Sequence, residues 1–238
     1  LGVAIGNSFV SIVLFIVLGL LISAHLRIMR RPNTIEMKKA ARELMEAGSV
    51  NWVPNVIHML GTQLGIVVVF GAYGAFEAGV YFIALAILSI ITSIYSSIMG
   101  VAFPVLSGMT DGRRMAVWRA IRLSLVFCMP LTVAALTFPE AILGIFGGGY
   151  AVADFTLSVL LFSMLPLIIS TGVYTLVYAY GNYRQVLVIG LAGNVPSVVL
   201  YFFLTPSLGG LGASYAYLTG AISGAIVSVA VPHRIKMQ

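Results

Sequence analysis

Seven stretches of unbroken apolar sequence, each about as long as a bilayer is thick, decide what this chain can fold into. A helix crossing roughly 30 Å of hydrocarbon needs about 20 residues. Residues 3–24, 51–72, 78–105, 117–138, 155–179, 186–205 and 211–231 all reach that length. They are continuously apolar where a barrel strand would alternate over about ten residues, so helices are expected. Composition agrees, since 60% hydrophobic and 8% charged residues lie far outside the range of a water-soluble domain. The expected fold class is all-α integral membrane, with seven transmembrane helices.

Charge sets the expected orientation. If the spans alternate in direction, Arg27, Arg30, Arg31, Lys38, Lys39, Arg42, Arg113, Arg114, Arg119, Arg122, Arg184, Arg234 and Lys236 share one side, and these are all thirteen basic residues. The other side receives only Glu77, Glu140 and Asp154. The positive-inside rule then makes the basic side cytoplasmic, the C-terminus cytoplasmic and the first residue external, in a multi-pass protein of the cell membrane. The net charge of +6 is explained in this way and implies no nucleic acid. Leu1 opens directly into an apolar span without a charged leader, which reads as an internal start. The single cysteine, Cys128, can make no intrachain disulfide.

The run ILGIFGGGYAVADFT at 142–156 raises the possibility of a phosphate cradle, since bare backbone N–H groups at a helix start bind anions. Its position on the external side argues against that reading. The expectation is a short interfacial helix over 139–146, with Gly147, Gly148 and Gly149 giving the positive-φ freedom to turn into the next span. On the basic side, Asn33 with Glu36 and the apolar spacing of Met37, Ala40, Ala41 and Leu44 predict an amphipathic surface helix ending at Gly48. Anionic lipid explains its basic face; a protein-docking helix is the alternative.

No Lys, Asp or Glu falls near the middle of a span, and no hydrolytic or nucleophilic constellation is present, so no enzyme is expected. The second span has the densest polar stripe: Asn51, Asn55, His58 and Thr62 share one helical face, with Gln63 beside it. Such groups should face a neighbouring helix or a water-filled cavity, and both readings stay open. His58 is alone in its span, so no metal site and no cofactor are expected. Weaker stripes are Ser89, Ser93, Ser96 and Gly100 in the third span, Ser163, Ser170, Tyr174 and Tyr178 in the fifth, and Asn194, Ser197 and Tyr201 in the sixth. Gly212, Ala216, Gly220, Gly224 and Ser228 form a small-residue ridge in the seventh, and Pro130, Pro166 and Pro196 are expected to break three spans. Kinked, glycine-rich helices with soft polar faces suit a transporter that rocks between two states.

The stretch LGIFGGGYAVAD, with Ile145, Phe146, Gly147, Tyr150 and Ala153 in register, resembles a stretch before the tenth helix of the multidrug/oligosaccharidyl-lipid/polysaccharide (MOP) exporter superfamily. EAGVY at 77–81, FPVLS at 103–107, YGNYR at 180–184 and LGGLGASYA at 208–216 resemble further stretches of the same superfamily, in the same order. The resemblance is to the polysaccharide flippase branch, whose members move polyprenyl-linked sugars between leaflets. It implies that 1–24 is helix six, 25–50 the cytoplasmic linker, 51–231 a six-helix C-terminal lobe and 232–238 a cytoplasmic tail. The N-terminal lobe would then be a missing partner, alongside lipid-linked oligosaccharide and membrane lipids. By the same resemblance, helices seven and eight would supply the cavity lining, where Asn55, His58, Thr62 and Gln63 lie. Arg119 and Arg122, three apart at the inner boundary, could touch a head-group phosphate or serve only as anchors. The alternatives are an ion-coupled multidrug antiporter of the same superfamily and, in another class, a membrane scaffold or receptor.

Overall fold

A computed structural model describes residues 34–230, with no strand among them. The expected first span, Asn33 and the tail after residue 230 lie outside the described residues. The chain divides into two compact units, 1–46 and 47–238. In the first unit the described residues are helical from Thr34 onward, the element expected there on capping grounds. The second is a helical bundle. Gly48, expected as a helix stop, is itself helical, with φ outside the left-handed region where a glycine terminates a helix.

In chain order the elements are α1 (Thr34–Gly108), α2 (Arg113–Thr137), α3 (Pro139–Gly144), a short 3-10 helix (Gly148–Ala153), α4 (Asp154–Phe162), α5 (Met164–Ala179) and α6 (Tyr183–Ala230). Four helical stretches among the described residues are long and apolar enough to cross a membrane: Trp52–Gly108, Arg113–Thr137, Asp154–Ala179 and Tyr183–Ala230. The first and last are far longer than one crossing needs. Each is interrupted by one glycine with positive φ, Gly74 at 84° and Gly209 at 60°. The chain doubles back at both. A Cβ on Gly65 would stand 3.3 Å from the Tyr81 ring, although sixteen helical residues would span about 24 Å. Likewise the Gly193 Cβ position lies 3.7 Å from Gly224 Cα. Residues 47–73 and 75–108 are therefore the two arms of α1 in this unit, and 183–208 and 210–230 those of α6.

The prolines behave differently from expectation. Pro130 and Pro196 leave their spans helical, and the fifth expected span shows only a local tightening at Ser163 between α4 and α5, three residues ahead of Pro166, where φ and ψ stay right-handed (−71°, −14°). A proline in a membrane helix is tolerated when neighbouring groups take up the freed carbonyl.

The core is apolar and includes the largest buried side chains, Tyr81, Tyr201, Leu88, Leu106 and Ile121. Outward-facing positions are apolar too, among them Val101, Phe203, Phe155 and Ile226, as a lipid-solvated surface requires. The two turns 109–112 and 180–182 are tied together by Arg113. Its Nε donates to Met109 O at 2.7 Å, one Nη donates to Ala179 O at 3.1 Å, and its guanidinium lies 4.9 Å over the Tyr180 ring. Carbonyls at the ends of α1 and α5 have no onward helical partner, and one cation satisfies one of each.

At the opposite end only one of the three consecutive glycines needs the left-handed region. Gly147 has φ 134°, while Gly148 opens the 3-10 helix and a Cβ on Gly149 would meet nothing closer than Phe76 at 3.8 Å. The Tyr150 ring stacks on Phe76 at 6.2 Å and covers Gly147 and Gly79. The glycine run is thus a packed turn rather than an open loop.

A neutral polar cavity as the candidate functional site

Two helix arms far apart in sequence are laid side by side by residues without side chains. The first arms of α1 and α6 run parallel, pairing Pro54 with Gly190, Gly61 with Val198 and Gly65 with Tyr201. A Cβ on Gly190 would stand 2.5 Å from Pro54 Cβ, one on Gly61 2.9 Å from Val198 Cγ2, and one on Gly65 3.1 Å from Tyr201 Cε1. Backbones approach this closely only where the side chain is missing.

Between the first two of these contacts lies a bridge of polar side chains across the seam. Asn194 Nδ2 donates to Pro54 O at 3.1 Å and to Gly190 O at 2.9 Å. Both amide hydrogens are used, so Oδ1 is the acceptor facing His58 Nδ1 at 3.0 Å. The assignment of the imidazole follows from this network: Nδ1 carries the hydrogen and donates, which leaves Nε2 as the acceptor of the neutral ring.

His58 and Asn194 open onto a cavity of about 310 Å³ whose other polar walls are Asn55, Tyr95, Ser96, Ser170, Thr171, Tyr174, Ser197 and Tyr217. Both arms of α1, both arms of α6 and α5 contribute lining residues; α2 contributes none. Tyr174 precedes the end of α5 at Ala179, and Gly190 follows the start of α6 at Tyr183. At 1.5 Å per residue both lie within about 10 Å of those helix ends. The cavity therefore occupies the half of the bundle nearer the 109–112 and 180–182 turns. Amide, imidazole and hydroxyl groups supply donors and acceptors without a fixed charge, the chemistry that binds a neutral, hydroxyl-rich ligand.

The expected stripe divides. Asn55 and His58 reach the cavity, and Thr62 lies in a small adjoining recess with Gly61, Ser197 and Tyr201. Its hydroxyl is spent on its own helix, donating to Met59 O at 2.9 Å and His58 O at 3.2 Å. Gln63 is exposed and lines neither space, and the side chain of Asn51 lies outside those described. Arg119 and Arg122 are exposed on α2, away from the cavity. Ser89 and Ser93 donate to carbonyls of their own helix and line no cavity wall, whereas Ser96 does.

Sequence reasoning passed over Tyr95 and Tyr217, both in the lining. Tyr217 lies three residues before Gly220 on the small-residue ridge, a spacing that signals shared orientation. The ridge is tightly seated, because a Cβ on Gly220 would collide with Ser197 Oγ and with the carbonyl of Gly193. Among the described residues no cluster of three or more His, Cys, Asp or Glu could hold a metal ion.

Membrane-length apolar helices packed around a partly open cavity with polar side chains in its wall define a multi-pass membrane protein with room for a ligand. Over residues 2–154 the chain matches the family described as polysaccharide biosynthesis protein, and it belongs to that family. No curated protein and no solved structure matches it.

Proposed function

We propose that the chain carries the C-terminal lobe of a flippase that moves a polyprenyl-linked oligosaccharide across the cell membrane by alternating access. Family membership supports a transporter of polysaccharide synthesis over an enzyme. The observation that carries the reading further is the cavity, whose amide, imidazole and hydroxyl lining suits a sugar head group. In this reading the arms of α1 and α6, α2, and α4 with α5 are six spans. Residues 1–24 form a seventh, belonging to the other lobe, and 25–50 the linker. The 109–112 and 180–182 turns are cytoplasmic, so the cavity meets substrate from the leaflet where lipid-linked sugars are assembled. Asn55 and His58 are its sugar contacts, with Thr62 setting the edge of the site; Gln63 has no part in it.

The test is made in the full-length protein, in cells deleted for the native gene, with membrane abundance and surface glycan measured together. Asn55→Leu with His58→Leu should abolish surface glycan at near-normal abundance. Loss of both in step would mean that the pair serves packing alone, and normal glycan would remove the cavity from the transport path.

A further inference from the structure

A second concave space lies on the outside of the bundle, between the second arm of α1 and α2. Its volume is about 640 Å³, and it is lined by Ser97, Ile98, Val101, Ala102, Val105, Leu106, Ala116, Ala120 and Leu123, with Arg119 as its one charged residue. The small side chains of Ala102, Ala116 and Ala120 hollow it out, while Val101 and Val105 stand exposed along it. From Ser97 to Leu106 the groove follows α1 for about 14 Å, close to half of the roughly 30 Å hydrocarbon thickness.

Arg119 sits part-way along, but its guanidinium does not stay there. One Nη lies 3.3 Å from Met115 Sδ, one turn nearer the start of α2, the direction in which helical side chains lean. The charge is thus held on the side of Arg119 nearer the start of α2 and the 109–112 turn. A thioether is a weak acceptor, so the fork keeps its capacity for a phosphate.

We propose that this groove holds one acyl chain of an anionic phospholipid from the leaflet facing the 109–112 turn, with the lipid phosphate on Arg119. A length of one leaflet and a cation turned toward the head-group side fit a phospholipid chain better than a long polyprenyl chain. The proposal needs only that these helices span a bilayer and stands apart from the transport reading.

The full-length protein would be purified in lipid nanodiscs containing phosphatidylglycerol, phosphatidylcholine and a phosphatidylglycerol probe with a photoreactive acyl chain. Crosslinks should concentrate on 97–106 and 116–123. Arg119→Gln should lower crosslinking there about fivefold, the equivalent of about 1 kcal/mol for one basic residue near an anionic surface. Arg122→Gln removes the same charge from the same helix outside the groove and should leave the labelling unchanged. Val101→Trp, at an exposed position, should block labelling while leaving the protein folded, as judged by its elution and melting profile. Equal effects of Arg119→Gln and Arg122→Gln, labels spread evenly around the helices, or displacement of the probe by polyprenyl phosphate at equal concentration would each overturn the proposal.

Discussion

The hydroxyls of Tyr81 and Tyr201 face each other at 3.4 Å across two helices, with both rings buried. One must donate and the other accept, so Tyr81→Phe or Tyr201→Phe alone leaves a buried hydroxyl without its partner. Each single change should cost about 1 kcal/mol, and the double change less than the sum of the two. Thermal melts of the four proteins in detergent check this; additive losses would show that the contact contributes nothing.

Gly220 should tolerate no side chain. Ala there would drive a methyl into Ser197 and the Gly193 carbonyl, spreading the arms of α6, so Gly220→Ala should lose most folded protein. Gly71 is also helical but a Cβ there meets nothing within 4 Å, so Gly71→Ala should be neutral or slightly stabilising. Fluorescence-detected size exclusion of the two variants gives the comparison.

Arg113 and Arg114 are neighbours with different fates. Arg113→Ala removes bonds to two helix-end carbonyls and should cost about 1–3 kcal/mol, while Arg114→Ala, at an exposed position, should cost under about 0.5 kcal/mol. Arg113→Lys keeps the charge but not the fork and should recover only part of the loss. Melting temperatures rank the three.

Of the glycine run, Gly147→Ala should be the damaging change, by about 1–2 kcal/mol from left-handed strain, and Gly149→Ala nearly silent. ATP should protect neither variant from proteolysis.

The proposed orientation is read with single cysteines. Asp111→Cys and Arg184→Cys should be shielded from an impermeant thiol reagent in intact cells, and Ala75→Cys and Ile145→Cys should react; all four positions are exposed. Cys128 is fully buried and should stay unlabelled throughout. Reaction of Asp111→Cys from outside would reverse the map.

Much of this was legible because hydrocarbon imposes simple rules on sequence. Length and hydropathy anticipated the apolar helical stretches between Trp52 and Ala230, and the reversals at Gly74 and Gly209 fall between expected spans. The 3.6-residue period placed Asn55, His58 and Thr62 on one face, but period alone is silent about which helix comes to meet it. Asn194 was visible as a polar residue beside Pro196. Its role depends on a parallel seam between arms 136 residues apart, a long-range fact that no local pattern carries. The Arg residues divide for a related reason. The positive-inside rule counts Arg113 and Arg119 alike, yet one is bonded to two helix ends and the other lines a groove with its guanidinium beside Met115. Gly148 and Gly149 misled because glycine marks both tight turns and close packing, and here the stacked Phe76–Tyr150 pair makes the difference.

The seam between the first arms of α1 and α6 also restricts how this lobe can move. A slip of one helical turn would bring the Pro54 ring opposite Val186 or Asn194 in place of Gly190, and neither leaves the space that Gly190 gives. It would also strip Asn194 of its two partners on the other arm, the Pro54 carbonyl and the His58 imidazole. The contact behaves as a keyed joint with a single seating. The two arms must travel as one piece, and any internal bending is directed to helices outside the joint, such as α4 and α5, whose junction at Ser163 is a single tightened turn.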